Sequence, residues 1–277
     1  MIAFIADFFD ILGGAEQNDS VLYSHLNAKT KIVKILSHEC TVNSIQAFDK
    51  LLIGNFTNLS EEVKQYICKN TKYTIYEHDH KYVSTRDPSI FRDFIVPREH
   101  VINKEFYENA EAVVCLGRKQ VELISSCLDI PTSKLYSISG SLWSSEKLDF
   151  ISNLLETQSK KDIFGIVDSA NPIKNTRKAI EFCQKNKINY ELFSSNDPQQ
   201  FLTGLSGYKG LVFFPGVLES MCRLVIEAKM LNCQVVTTPK KIGAFYEDWI
   251  HLSGKELIKN VRSNVNKALQ KFEDLLI

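Results

Sequence analysis

Residues 213–239 have the sequence FFPGVLESMCRLVIEAKMLNCQVVTTP, and this stretch decides the fold class of the 277-residue chain. An apolar run ends in a Pro-Gly turn, a segment with helical spacing of apolar residues follows, and the β-rich run CQVVTT closes the unit. A strand, a helix and a second strand in this order are typical of a parallel sheet covered by helices. The sequence therefore predicts an α/β fold.

The same alternation of short β-rich runs and helix-period segments extends over the whole chain and suits two domains. The polar segment ETQSKK at residues 156–161 separates two series of such units. We therefore expect one domain over residues 1–150 and another over residues 151–277, with ligands bound in a cleft at the carboxyl edges of two sheets. Apolar residues at helical spacing over 255–276 predict a long amphipathic tail helix.

Composition restricts the classes of function. Lysine plus arginine and aspartate plus glutamate both number 33, so the net charge is zero and the simplest electrostatic argument for a nucleic-acid-binding domain is absent. The seven cysteines include no C-x-x-C pair, so the sequence indicates neither a zinc site nor a redox motif. Scattered cysteines of this kind are typical of proteins from a reducing compartment. The first apolar run is too short for a signal peptide. No apolar run in the sequence approaches the roughly 18 residues that a membrane-spanning helix needs. We expect a cytoplasmic protein without a transmembrane segment.

Two glutamates, Glu219 and Glu227, are eight positions apart and enclose seven residues. This arrangement resembles the hallmark segment of glycosyltransferase family 4, in which two glutamates enclose seven residues. The resemblance implies that Glu227 bonds the ribose hydroxyls of a nucleotide-sugar donor and that Glu219 contacts the transferred sugar. A carboxylate can accept two hydroxyl protons in a charge-assisted arrangement. The alternative is that Glu219 complements the helix dipole and Glu227 is a solvated helix residue.

The residues after the first glutamate depart from the family, which usually has small residues there. This chain has Ser220, Met221, Cys222 and Arg223. We expect a helix to begin at Ser220, so that the free N–H groups of Ser220–Cys222 bind the donor diphosphate. The bulkier side chains predict a changed donor pocket.

The pair Gly13-Gly14 follows the first predicted strand and resembles the GGAE loop of the same family. The resemblance implies that the backbone here approaches the donor phosphate and the acceptor. We expect glycine at this turn because it tolerates a positive φ without steric cost. Any tight turn between a strand and a helix could also use such a pair.

Residues 164–176, FGIVDSANPIKNT, resemble the segment that opens the donor domain of the family and supplies an arginine and a lysine to the diphosphate. Lys174 corresponds to the lysine, whereas the arginine position falls on Asp168 or Ser169. Arg177 or Arg223 could replace that arginine. The alternative for Lys174 is a solvated residue in the first turn of a helix.

The sequence Glu-His-Asp-His at residues 77–80 ends a predicted strand. Family 4 enzymes often carry a His-Asp pair here, which implies that His78 and Asp79 face the acceptor. An aspartate beside a histidine can fix its tautomer and leave the second ring nitrogen for a hydroxyl group. A satisfied loop histidine is the alternative. A metal site is disfavoured because His78 and His80 would point to opposite faces of a strand.

Together these segments identify a GT-B glycosyltransferase that resembles family 4 in a compact form similar to those of viruses and phages. Two Rossmann-like domains would face each other across a cleft, with the acceptor on residues 1–150, the donor on residues 151–277 and the tail helix crossing back. We expect metal-independent, retaining transfer of a hexosyl or pentosyl group from a UDP- or GDP-sugar, with no cofactor, to a glycan or lipid-linked acceptor. Glycosylation of modified bases in viral or phage DNA and a catalytically silent nucleotide-sugar-binding protein are the alternatives. For a viral protein, the cytoplasm would be that of the host. The sequence does not give the oligomeric state.

Overall fold

The computed structural model describes residues 1–277, and the chain divides into two compact units. The first unit contains residues 1–143 and 264–277, and the second contains residues 144–263. Each unit is built on one parallel β-sheet with helices in its connections. The predicted α/β fold is confirmed.

The sheet of the first unit has six parallel strands in the order β2-β1-β3-β4-β5-β6. All five residues of its strand IAFIA are buried, as expected of a strand that is covered on both faces. The strands are β1 (Ile2–Ala6), β2 (Ile32–Leu36), β3 (Lys50–Ile53), β4 (Lys72–Glu77), β5 (Ala112–Cys115) and β6 (Leu135–Ser137). The helices are α1 (Gly14–Asn27), α2 (Val42–Ile45), α3 (Glu61–Asn70), α4 (Lys104–Glu108) and α5 (Arg118–Leu128).

The sheet of the second unit has four parallel strands in the order β10-β9-β7-β8. Buried Ile166 and Val212 from its two central strands pack with Ala179 and Cys183 of a covering helix. The strands are β7 (Lys161–Val167), β8 (Tyr190–Phe193), β9 (Tyr208–Val212) and β10 (Gln234–Val236). The helices are α6 (Ser145–Thr157), α7 (Thr176–Asn186), α8 (Pro198–Ser206) and α9 (Arg223–Met230).

The predicted tail helix forms as α10 (Gly254–Leu276), whose residues up to 263 belong to the second unit and whose later residues belong to the first. In the first unit, the ring of Phe272 packs edge-on against Tyr76 with 4.8 Å between centroids. Glu273 contacts Nε2 of His25 at 2.5 Å and Nζ of Lys29 at 2.6 Å. None of the helices, α10 included, combines the length and the apolar character that crossing a membrane requires.

Two local predictions differ from the structure. Helix α6 occupies residues 145–157, where the sequence reasoning gives no helix and begins a linker at residue 156. Helix α9 begins at Arg223 and not at Ser220, because Cys222 has left-handed backbone angles (φ 66°, ψ 81°) that cannot continue a helix. The charged segment after β4 contains three short 3-10 turns, at residues 88–90, 92–94 and 98–100.

Candidate functional site

Three loops meet at the carboxyl edge of the second sheet, after β7, β9 and β10. The amide of Gly216 donates to the carbonyl of Ile173 at 2.8 Å and joins the first loop to the second. The amide of Glu219 donates to Lys241 O at 3.0 Å, and the amide of Gly243 donates to Glu219 O at 2.8 Å. These bonds fix the backbone of Glu219 on both sides. Such an edge is where open α/β sheets bind ligands.

The side chains of Lys174 and Glu219 meet at this edge, with Nζ 3.2 Å from Oε1. The ammonium group also lies 5.7 Å from the centroid of the Phe213 ring. Burial lowers the pKa of Lys174, but the charge and hydrogen bond of Glu219 outweigh it, so the pKa is raised and the lysine stays cationic. Lys174 and Glu219, which occur in two separate sequence motifs, therefore form an ion pair. About a third of the lysine side chain stays exposed.

The segment Ser220–Cys222 is a bend before α9 and not the first turn of a helix. A side chain at Gly243 would overlap the carbonyl of Ser220, so the two loops approach closely only because residue 243 is glycine. Met221 and Cys222 are buried, and burial raises the pKa of the Cys222 thiol. The free N–H groups at this helix end therefore belong to the first turn that begins at Arg223.

Glu227 is buried on α9, so the alternative of a solvated helix residue is wrong. Its Oε1 lies 2.9 Å from Nζ of Lys147 on α6 and 3.9 Å from a guanidinium nitrogen of Arg223. The sequence reasoning missed Lys147 because it missed α6. The signal was present, since Ser144 caps a segment with Leu148, Ile151 and Leu154 at helical spacing.

The position of the family's arginine, at Asp168 or Ser169, lies in a loop that is held by its own hydrogen bonds. The Ser169 hydroxyl accepts from the amide of Asn171, and the Thr176 hydroxyl donates to the carbonyl of Val167 at 2.8 Å. A second cation does reach this edge, because Nζ of Lys241 donates to the Gly216 carbonyl at 2.8 Å. The sequence reasoning missed Lys241, which has no motif around it.

In the first unit, Gly13 precedes α1 with φ −75° and ψ 163°, so the expectation of a positive φ at this turn is wrong. A side chain at Gly13 would meet the carboxylate end of Glu16, a flexible group that can move aside. Gly14 is the first residue of the helix. Burial raises the pKa of Glu16, and the nearby charges of Asp19 and Asp7 raise it further.

The side chain of His78 bonds to Asp19 on α1 and not to Asp79, which corrects the expected pairing. Nε2 of His78 lies 2.7 Å from Oδ1 of Asp19, and both side chains are almost fully buried. Asp79 contacts Nζ of Lys81 at 3.0 Å and the guanidinium group of Arg86. The second ring nitrogen of His78, Nδ1, is buried and has no hydrogen-bond partner. The sequence could not reveal Asp19, which is 59 positions away.

The other histidine of the motif has a different environment. Burial lowers the pKa of His80 to about 3, so the ring is neutral, and Nδ1 lies 3.0 Å from the Tyr82 hydroxyl. His78 and His80 therefore have separate partners. No group of three or more His, Cys, Asp or Glu side chains within residues 1–277 is placed to hold a metal ion.

The architecture is similar to that of several solved structures. HepE from Anabaena in complex with UDP-glucose aligns with a TM-score of 0.55 and 12% identity, over 96% of this chain and 90% of that one. An α-glucosyltransferase in complex with UDP and DNA containing an HMU base aligns with a TM-score of 0.51 and 9% identity, over 97% and 91%. UDP-N-acetylglucosamine 2-epimerase from Rickettsia bellii aligns with a TM-score of 0.54 and 10% identity, over 99% and 95%. No protein-family model and no curated protein matches the sequence.

At identities this low the likeness shows the fold alone, which is GT-B with two Rossmann-like domains. The same fold occurs in a glucosyltransferase and in an epimerase, both named for chemistry on sugars. The chemistry of this chain must therefore be argued from its own residues.

Proposed function

We propose that this chain is a glycosyltransferase that moves a sugar from a nucleoside-diphosphate sugar to a hydroxyl group. The observation that carries the proposal is the ion pair between Lys174 and Glu219 at the carboxyl edge of the second sheet. A partly exposed ammonium group can bind a diphosphate, and an adjacent carboxylate can accept hydrogen bonds from sugar hydroxyls. The presence of UDP or UDP-glucose in two of the similar structures supports a uridine nucleotide as the first donor to test, before GDP-sugars.

The residues of this edge suit stabilisation of a leaving diphosphate. Lys174 supplies a fixed positive charge, and the first turn of α9 supplies N–H groups beside it. Groups held in place before the reaction stabilise charge that develops on the leaving group. The retaining course follows from the resemblance to family 4: the departing diphosphate helps to remove the proton of the acceptor hydroxyl, and no protein nucleophile is needed.

In this proposal Glu227 binds the ribose and Glu219 the transferred sugar, while the turn at Ser220–Cys222 and the amide of Arg223 border the diphosphate. The glycines Gly13 and Gly14 keep their proposed place beside the donor phosphate. Because Glu227 already has a cationic partner in Lys147, binding of a ribose would add hydroxyl groups to a carboxylate that is held in place.

His78 is proposed to act on the acceptor hydroxyl or on the transferred sugar, with Asp19 as its positioning residue in place of Asp79. The bond to Asp19 is consistent with a proton on Nε2, which leaves Nδ1 as a buried acceptor without a partner. A buried nitrogen without a partner costs free energy unless a ligand satisfies it. This is the reason for assigning it to a substrate.

The test is to incubate the purified chain with UDP-glucose, UDP-N-acetylglucosamine and GDP-mannose and to follow release of the nucleoside diphosphate. We expect slow hydrolysis of one donor and faster release with its acceptor. NMR analysis of the recovered nucleotide sugar separates transfer from epimerisation, which would change the sugar and release no diphosphate. Binding of a donor without release would support a silent binding protein. Faster release with HMU-containing DNA than with glycans would support DNA as the acceptor.

A further inference from the structure

A pocket of about 550 Å³ lies wholly within the first unit, bordered by the loops that follow β3 and β4 and by the start of α3. Its volume falls in the range of small-ligand sites. Residues that border it include Phe56, Glu61, Lys64, Ser84, Arg86 and Asn103. His78 follows β4 directly, so the pocket and the proposed acceptor histidine belong to the same edge of one sheet.

The first cation of the pocket is already neutralised. Nζ of Lys64 donates to Glu61 at 2.7 Å and to Oδ1 of Asn103 at 3.0 Å. The amide group of Asn103 in turn donates to the carbonyl of Lys81 at 2.8 Å. The helix α3 and the segment after β4 are thereby linked through one polar network.

The remaining two cations are neutralised as well. Nζ of Lys81 lies 3.0 Å from a carboxylate oxygen of Glu77 and 3.0 Å from one of Asp79, and Arg86 pairs with Asp79. Three cations therefore face three carboxylates, Glu61, Glu77 and Asp79, and the formal charge of the cluster is zero. A phosphate that entered would have to compete with these carboxylates for every positive charge.

The surface of the pocket is nevertheless rich in hydrogen-bonding groups. The ammonium group of Lys64 and the guanidinium group of Arg86 donate, and the exposed carboxylate of Glu61 accepts. Lys81 is buried with its three donors directed at Asn55, Glu77 and Asp79, and the Ser84 hydroxyl lies 3.1 Å from Nδ1 of His100. The exposed side chain of Ile102 adds apolar surface, whereas Phe56 borders the pocket but is buried. A sugar hydroxyl both donates and accepts, and the C–H faces of a sugar ring are apolar. Fixed donors and acceptors without net charge therefore match a sugar better than an anion.

We propose that this pocket binds a neutral, hydroxyl-rich saccharide and that this saccharide is the acceptor of the transfer. The second part rests on the proposed glycosyltransferase function. The chemistry is that of a neutral glycan, whether it is free or carried on a lipid. A phosphate-bearing acceptor and a DNA strand are the competing occupants.

The test uses the full chain and ligand-observed NMR with maltose, cellobiose and lactose, in parallel with glucose 6-phosphate, inorganic phosphate and a short single-stranded oligonucleotide. We expect a neutral disaccharide to bind and phosphate not to bind. The variant Ser84→Trp fills the pocket from an exposed position and should weaken saccharide binding at least about tenfold. Unchanged saccharide affinity in that variant, or no disaccharide binding at millimolar concentration, would overturn the proposal.

A matched pair of glutamates tests the charge argument. Glu61 borders the pocket and pairs with Lys64, whereas its exposed neighbour Glu62 does not border it. The variant Glu61→Gln releases one positive charge, so it should gain binding of inorganic phosphate, while Glu62→Gln should not. Phosphate binding to the unaltered chain that Ser84→Trp abolishes would instead identify an anion site. UDP titration of each variant keeps the outcomes apart, because loss of the saccharide site leaves donor binding, and failure of the unaltered chain to bind any nucleotide counts against the proposed function.

Discussion

The Nε2 atom of His78 lies 2.7 Å from Oδ1 of Asp19, and the two side chains are buried together inside the first unit. One residue follows β4 and the other lies on α1, so the pair joins two segments that are far apart in sequence. The Tyr76 ring covers the imidazole with 4.1 Å between centroids. The ring is therefore held from two sides while its Nδ1 atom lacks a hydrogen bond.

Replacing His78 by alanine should lower sugar transfer strongly and leave the affinity for UDP within about threefold, the pattern of a residue that acts after donor binding. Asp19→Asn should lower transfer about tenfold or more, because a charge-assisted bond contributes about 1.5 to 3 kcal/mol. Asp79→Asn is the control, since Asp79 contacts Lys81 and Arg86 instead. Equal losses in the two aspartate variants would contradict the assignment, and loss of folding in His78→Ala would indicate a purely structural histidine.

The pair Lys174–Glu219 should separate donor binding from transfer. Lys174→Met removes the cation proposed for the diphosphate and should weaken UDP binding about tenfold or more in isothermal titration. Lys178→Met changes an exposed lysine on α7, four residues further along the chain, whose ammonium lies over the Phe214 ring, and should change UDP affinity little. Glu219→Gln should keep UDP affinity and lower the transfer rate. UDP affinity that survives Lys174→Met would exclude the proposed role of the lysine.

Glu227 should affect both donor affinity and stability. Glu227→Ala removes the proposed ribose acceptor, which should weaken donor binding at least about tenfold, but it also takes a carboxylate from the half-buried Lys147. The variant Glu227→Gln with Lys147→Gln should recover thermal stability relative to the single Glu227→Gln variant without recovering donor binding. Full recovery of donor binding in the double variant would show that Glu227 is only a partner of Lys147.

Gly243→Ala tests the close approach of two loops in the second unit. A methyl group at residue 243 would overlap the Ser220 carbonyl, so the backbone that fixes Glu219 must shift. Proximity effects depend on such placement, and we expect a large loss of transfer with a smaller change in thermal stability. Gly140→Ala is the matched control, because nothing lies within 4 Å of the added carbon there. Equal activity in both variants would argue against a role for this backbone.

The buried His80 predicts acid sensitivity. Burial lowers its pKa to about 3, whereas an unfolded histidine has a pKa of about 6.5. Between these values only the unfolded chain binds the proton, so stability is lost as the pH falls below about 6.5, by about 1.4 kcal/mol per pH unit. Urea unfolding at pH 7.5 and pH 5 should show a smaller difference for His80→Gln than for the unaltered chain. His38→Gln, at an exposed histidine, should keep the full difference, and identical behaviour of the two variants would contradict the prediction.

Hydrophobic periodicity predicts most of this fold, because the strands are buried apolar runs and their order along the chain follows the α/β pattern. The failures have local causes. Helix α9 starts late because Cys222 adopts a left-handed conformation that no propensity for cysteine predicts. Helix α6 was missed because its polar C-terminal end resembles a linker. The second error concerns a helix whose signal is present in the sequence, in the Ser144 cap and the spacing of its apolar residues.

The candidate site was only partly predictable, because its pairings join segments that are far apart in sequence. Lys174 and Glu219 each occur in a motif, so the sequence identifies both, but their pairing depends on the packing of two loops. Asp19 and Lys147 occur in no motif, and each becomes visible only through its partner, His78 or Glu227. A single sequence shows which residue types are present, whereas distances between segments far apart in sequence come from the fold.

The membership of α10 in both units has a consequence for synthesis on the ribosome. Residues 1–143 are made before residues 264–277, yet both ranges belong to one unit. The Tyr76 ring receives Phe272, and His25 and Lys29 receive Glu273, only after the whole second unit has been translated. The six-stranded sheet is therefore synthesised with an uncovered patch, and a nascent chain has to keep that patch from misassociation until residues 264–277 emerge.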